Sequence, residues 1–258
     1  MTGGDERSVT GRTLALLAAF TPDAPELTLS ELARRAGVTL PTAHRRAAEL
    51  VAWGALERTP EGRYHIGLRL WEVASLAPRG LGLREASMPF LEDLYEITRE
   101  NVQLAVREGA EVVFVERIAG RAAVAVLTRV GGRFALHATG VGLVLLAYAP
   151  VEVQDRVLGS RLDRYTDKTV TDPVAVRTVL ANVRTRGYAV SDGQVTLDAL
   201  SVAAPIVDRT GEVVAAVSLV VHADHADPAT LAPVVQAAAR GISRAIGGPR
   251  KRPRMPYI

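Results

Sequence analysis

The sequence predicts an α+β protein of two domains, on three observations. Two short helical runs meet at a tight Gly-containing turn within residues 28–52, with another helical run before them. Short alternating segments then flank a Pro/Gly turn at residues 55–66, the mark of a β-hairpin. From residue 82 onward, strand-like segments come in runs with helices at both ends. That order favours an antiparallel sheet with helices packed on it. The length of 258 residues allows one or two domains at about 100–200 residues each.

The first domain is expected over residues 7–67, after a short lead. Ser8 to Phe20 has helical periodicity through Val9, Leu14, Leu16, Leu17 and Phe20, and Thr21-Pro22-Asp23-Ala24-Pro25 ends it. Leu29 to Ala36 is the next helix, and Gly37 turns the chain. Thr39 can cap the third helix, and Pro41 suits its first turn. In that helix Ala43, Ala47, Leu50 and Val51 fall on one face, and Thr42, His44, Arg45, Arg46 and Glu49 on the other. A face of Arg, Thr and His suits a DNA major groove, where Arg reads guanine edges or phosphates and Thr reaches phosphates or thymine methyls. The hairpin after Gly54, with its Thr59-Pro60-Glu61-Gly62 turn, completes a winged helix-turn-helix and places Arg58 and Arg63 beside the DNA backbone. Charged helix faces are usually only solvated. The combination of turn, helix and wing makes DNA binding the expectation.

Residues 68–81 read as a linker helix, ended by Pro78-Arg79-Gly80, and with the first helix as a candidate dimer contact. The second domain is expected over residues 82–247. Leu83 to Glu100 is a helix with Met88, Leu91, Leu94, Tyr95 and Ile97 inward. Strand signals follow at 102–106, 111–118 and 122–127. Thr139-Gly140-Val141-Gly142 opens a very apolar helix, and further helices are expected at 151–158 and from 172 or 173 to 185. Tyr188 to Val190 is a strand. Residues 199–207 and 212–221 form a hairpin around Asp208-Arg209-Thr210-Gly211, and a closing helix runs over 227–246. Residues 248–258 read as a basic disordered tail.

Composition narrows the function classes. The net charge is +3, yet Arg250, Lys251, Arg252 and Arg254 of the tail supply four positive charges, so the rest of the chain carries −1. DNA contact must therefore come from local clusters. The absence of cysteine excludes disulfides and thiolate metal sites and fits a reducing compartment. No apolar run reaches the roughly 18 residues of a membrane helix, and the first residues lack signal-peptide order. A cytoplasmic protein with no membrane partner is expected. His222-Ala223-Asp224-His225-Ala226-Asp227 looks like a metal cluster but is also an ordinary polar loop before Pro228, and no distant third ligand is evident. No G-x-S-x-G elbow or Ser/His/acid set is seen, so neither an enzyme nor a cofactor or metal is expected. His137 is either a ligand contact or a structural hydrogen bonder.

These residues resemble the IclR-type bacterial transcriptional regulators over about residues 7–247. The resemblance rests on Leu14-Ala15-Leu16-Leu17, Leu29-Ser30-Glu31-Leu32-Ala33, Pro41-Thr42-Ala43-His44-Arg45 and Gly62-Arg63-Tyr64-His65-Ile66-Gly67. In the second half it rests on His137-Ala138-Thr139-Gly140-Val141-Gly142, Gly187-Tyr188-Ala189 and Ala203-Ala204-Pro205-Ile206. It implies a GAF-like effector-binding C-terminal domain, homodimers or homotetramers on palindromic double-stranded DNA operators, and a repressor or activator role. It also implies a small effector, an organic acid or aromatic compound. Matched position by position, the effector site is Thr139, Gly140, Val141, Ser191, Asp192, Leu197, Ala199, Ser201 and Ser218. The DNA-binding set is Thr39, Pro41, Thr42, His44, Arg45, Arg46, Arg58 and Arg63.

The turn at Gly140 leads into a helix, whose free N–H groups suit a carboxylate. Ser201 and Ser218 alternate with apolar residues and are either hydroxyls aimed into a cavity or core groups satisfied by the backbone. Leu143 stands where the family usually has Lys, Asp198 where it has Gly, and Val220 where a small or hydroxylated residue is frequent. These departures favour a larger or less polar ligand. The sequence leaves open a constitutive DNA-binding regulator whose C-terminal domain only mediates oligomerisation.

Overall fold

The computed structural model describes residues 8–77, 81–120 and 123–248. The chain divides into two compact units, one up to Gly80 and one from Leu81. The basic run at 250–254 lies outside the described residues.

The first unit consists of α1 (Val9–Leu17), α2 (Leu29–Ala36), α3 (Leu40–Trp53), the hairpin β1 (Leu56–Arg58) with β2 (Tyr64–Ile66), and α4 (Leu68–Ala74). Thr28 starts α2 with a capping box: its hydroxyl accepts from Glu31 N–H, and the Glu31 carboxylate accepts from Thr28 N–H. Gly37 turns the chain from α2 toward α3 with φ 66°, a conformation open to glycine at no Cβ cost. The core gathers Leu16 of α1, Leu32 of α2, Ala43, Ala47 and Leu50 of α3, and Leu56 and Tyr64 of the hairpin. Leu27 exchanges both main-chain bonds with Tyr64, at 2.9 and 2.7 Å, which ties the approach to α2 onto the wing. Val51, expected inward, is exposed. The linker helix is shorter than expected; its Leu68, Trp71 and Val73 are exposed, as is Leu76 just after it.

The second unit is a six-stranded antiparallel sheet in the order β5-β4-β3-β8-β7-β6. Its elements are α5 (Leu81–Thr98), β3 (Asn101–Glu108), β4 (Glu111–Ile118), β5 (Arg133–Ala135), α6 (Gly140–Ala147), α7 (Val151–Leu158), α8 (Pro173–Arg186), β6 (Ala189–Asp192), β7 (Ala199–Val207), β8 (Val213–His222) and α9 (Pro228–Ala245). The Asp208 carboxylate accepts from Thr210 N–H, Thr210 hydroxyl and Glu212 N–H, which sets the turn between β7 and β8.

Alternation separates the two faces of the sheet. Val102, Leu104, Leu200, Val202, Ile206, Val217 and Leu219 pack on α5 and α9. The other face carries small residues, Ala105, Ala189, Ala203 and Ala216, against which α6 lies wholly buried. Eight helical residues reach only about 12 Å, so α6 covers one end of this face. Beyond its N-terminus the same face carries Gln103, Val220, Ala199, Ser201 and Ser191. That uncovered end is where the cavity lies.

Two expectations fail here. Residues 122–127 form no strand in their described part, and β5 takes the edge of β4 instead. Ile97, expected inward on α5, is 73% exposed, because the core face of that helix ends at Leu94 and Tyr95.

Candidate functional site

In the first unit α3 presents a solvent face of Pro41, His44, Arg45, Ala48 and Glu49, with Thr42 half-buried beside it. Arg45 is exposed and has no hydrogen bond or ion pair to the described residues. Arg46 differs: its side chain is 13% exposed, and its Nη1 donates to both Glu49 carboxylate oxygens at 2.8 and 2.6 Å. Its charge is thus already met on the helix. Thr39 is the N-cap residue by backbone, but it makes no side-chain bond to the helix main chain; its hydroxyl donates to the Thr42 hydroxyl at 2.9 Å. Ala48 was not foreseen as part of the solvent face. As a small residue between Arg45 and Ala52 it lets another molecule come close to the helix.

On the wing, the Arg58 guanidinium lies 5.6 Å from the Tyr64 ring centroid and its Nε donates to Gly62 O at 3.5 Å. Arg63 pairs loosely with Glu26 and Glu31, at 3.9 and 3.7 Å.

In the second unit a small cavity, partly open to solvent, sits at the N-terminus of α6. The sheet contributes Gln103, Phe114, Ser191, Ala199, Ser201 and Val220; the start of α6 contributes Thr139, Gly140 and Val141. Val126, Leu127 and Thr128 close one side, and Val195 and Thr196 another. No lining residue is charged. The Thr139 hydroxyl accepts from Gly142 N–H at 3.1 Å, so the remaining first-turn donors are those of Gly140 and Val141.

Six of the nine residues matched in sequence reach this wall: Thr139, Gly140, Val141, Ser191, Ala199 and Ser201. Three do not. Asp192 points to Lys168 in a 3.0 Å ion pair, Leu197 is 57% exposed, and Ser218 is fully buried and donates to Gln103 Oε1 at 3.4 Å. The Ser191 hydroxyl donates to Ala138 O at 2.8 Å. Of the three departures only Val220 touches the cavity; Leu143 is buried in the core behind it.

Both loops over the cavity are held by side chains. Asn101 Nδ2 donates to Val124 O, Gln103 Nε2 to the Thr128 hydroxyl at 2.6 Å, and Arg117 Nη1 to Thr128 O at 3.0 Å. Across from them, Thr166 donates to Gly193 O and Thr169 to Gln194 O. His137 does not line the cavity: its Nε2 donates to Asp163 O at 2.9 Å, and burial pushes its pKa down. Among the described residues no three His, Asp or Glu side chains converge as a metal site, and no helix is long and apolar enough to cross a membrane.

Residues 77–244 match the family described as bacterial transcriptional regulator IclR, C-terminal, and residues 9–60 match the IclR helix-turn-helix domain. The chain belongs to the IclR family. This regulator carries a helix-turn-helix DNA-binding domain, in which α2 and α3 are the two helices. It is similar to the transcriptional regulator BhcR of Paracoccus denitrificans, 35% identical over 75% of this chain and 70% of that one. To the transcriptional repressor IclR of Escherichia coli it is 30% identical, over 84% and 80% of the two chains. The crystal structure of an IclR homologue from Microbacterium hydrocarbonoxydans, complexed with 4-hydroxybenzoate, aligns with a TM-score of 0.89 at 39% identity. That alignment covers 93% of this chain and 99% of the homologue. The IclR-family regulators among these relatives are named for regulation or repression, not for catalysis.

Proposed function

We propose that this IclR-family regulator is controlled by a small organic acid that enters the cavity at the start of α6, and that it binds a palindromic operator as a dimer. The cavity carries the reading. It is mostly apolar, it has few polar groups, and it ends at first-turn N–H donors, as expected for a site that takes an acidic ligand with an apolar body. The complex of the Microbacterium homologue with 4-hydroxybenzoate supports an aromatic acid as the first class to try.

On DNA, two copies of α3 enter successive major grooves, which for such dimers lie about 34 Å apart. Arg45, His44, Thr42 and Pro41 face the groove, and Arg58 and Arg63 follow the backbone. The exposed Leu68 and Trp71 of α4 support a contact between two copies. The effector acts by binding one dimer geometry better than another, and it shifts the equilibrium only by that difference.

A thermal-shift screen against aromatic and aliphatic acids, followed by gel shifts with and without each hit, tests this. A ligand specific to the folded state raises the melting temperature, and the same ligand changes operator affinity. If no acid in the panel raises the melting temperature while the operator is bound tightly, the protein is a constitutive regulator whose second unit serves assembly.

A further inference from the structure

Gln103 belongs to none of the motifs that marked this site. It is 3% exposed, sits on β3, and projects from the α6 face of the sheet into the cavity wall. A glutamine amide has two N–H donors and two acceptor positions. Among the described residues Gln103 uses one donor, to the Thr128 hydroxyl at 2.6 Å, and one acceptor position, for the Ser218 hydroxyl at a long 3.4 Å. One N–H and one lone pair remain on this buried side chain at a mostly apolar wall, where an unmatched polar group is costly.

Gln103 is also well separated from the α6 end of the cavity. Between β3 and Ser201 on β7 stands β8, so the two strands lie about 10 Å apart, two strand spacings. Phe114, Val126 and Val220 supply apolar wall. The cavity thus has two unlike polar ends. The α6 end offers main-chain N–H groups and suits an anion. The Gln103 end offers an uncharged amide; the Arg117 guanidinium behind it is not on the lining and already donates to Thr128 O and Asn101 Oδ1.

We propose that Gln103 is a specificity-determining residue that receives the hydroxyl group of a hydroxylated aromatic acid, whose carboxylate lies at α6. A hydroxyl both donates and accepts, so it matches the spare lone pair and the spare N–H together. The inference rests on the ligand-binding reading above and adds the ligand class and the residue that selects it. Thr128, bonded to the same amide, is the group that gives way or shares the bond when the ligand arrives.

Isothermal titration of the full chain with 4-hydroxybenzoate and with benzoate tests it, since the two probes differ by one hydroxyl. The native protein is expected to prefer 4-hydroxybenzoate by about ten- to hundredfold. Gln103→Met keeps length and volume and removes the amide; the preference should fall to a few-fold while benzoate affinity stays. Thr128→Val leaves the amide in place and should keep the preference, which carries the test if Gln103→Met does not fold. Equal affinity of the native protein for both acids overturns the role of Gln103 and leaves the effector reading standing. So does a preference that survives Gln103→Met or vanishes in Thr128→Val. Binding of neither acid, with another acid bound, overturns the ligand class, and binding of no acid at all overturns both readings.

Discussion

The Ser201 hydroxyl oxygen stands 2.5 Å from the point that a Cβ on Gly140 would occupy. The first residue of α6 and the middle of β7 therefore meet with no room for a methyl group. Ser201 Cβ would lie 3.1 Å and Ala203 Cβ 3.4 Å from the same point. This approach fixes where the helix begins over the sheet, and hence where its free N–H groups face the cavity.

Gly140→Ala should accordingly lift α6 from β7. The cost expected for overpacking a close contact is about 1–3 kcal/mol, read as a lower melting temperature or denaturant midpoint. Adding Ser201→Gly removes both nearest atoms and should recover more than about 0.5 kcal/mol of that loss, as a double-mutant cycle would show. If the two changes prove additive, the contact does not set the position of the helix.

Much of this site could be read from residue order, and the rest could not, for a physical reason. Helix ends were legible at Gly37, Gly54 and Gly187, because each takes the left-handed conformation that glycine favours. The serines of β7 and β8 allowed two readings, cavity hydroxyl or core group, and the structure divides them: Ser201 lines the cavity and Ser218 is buried against Gln103. Residues 122–127 misled: in their described part burial alternates, with Val124 buried and Ala125 and Leu127 exposed, yet no described strand pairs with them. Polar atoms of Val124 and Thr128 are met by Asn101, Gln103 and Arg117, more than ten residues earlier in the chain or across a bend in it. Alternation reports which side chains are covered, and it is silent on which partner covers them. Gln103 was missed on the same account, since a glutamine in an apolar strand acquires meaning only from the loop that folds over it.

The two adjacent arginines of α3 should behave differently. Arg45 is exposed and uncommitted, and Arg46 is held by Glu49. Arg45→Ala is expected to weaken operator binding by about ten- to hundredfold if it reads a base. If it contacts a phosphate, the salt dependence should fall by about one unit of slope. Arg46→Ala should change affinity by only a few-fold and stability by about 0.5 kcal/mol or less, as for a helix pair of this type. Fluorescence anisotropy over a salt series measures both. Equal losses in the two variants would show that Arg46 leaves Glu49 to meet DNA.

His137 predicts a pH dependence. Burial holds its pKa below the ordinary value of about 6.5, against the bond to Asp163 O and the charge of Asp163, which raise it. Above that ordinary value it is neutral folded or unfolded, and it gives no slope. As pH falls below about 6.5 the unfolded chain takes up the proton first, so stability drops until the folded value is passed. His137→Gln removes this contribution. The stability of the native protein relative to the variant should be constant above pH 7 and decline as the pH falls below about 6.5. Glu31 and Asp208, whose hydrogen bonds lower their pKa values, lose their contributions at more acid pH and leave this window clear. Denaturant melts at several pH values decide it; a difference that stays flat or grows on acidification would mean that burial does not govern the titration.

The exposed apolar residues of α4 give the last prediction. Trp71 is 63% exposed, and Leu68 lies one turn before it, on the same side of the helix. Two such side chains at the surface of a DNA-binding unit fit the contact between two copies proposed above. Trp71→Glu would place an unpaired carboxylate in that contact, where burial without a partner is costly, and the unit itself loses no core residue. Sedimentation should then show monomer at concentrations where the native chain is a dimer. Two linked half-site contacts bind about a hundredfold or more tighter than one, so affinity for an operator selected from random duplexes should fall by at least that factor. Affinity for an isolated half-site should not change, because α3 is untouched. A variant that remains dimeric and binds the full operator normally would remove α4 from the interface.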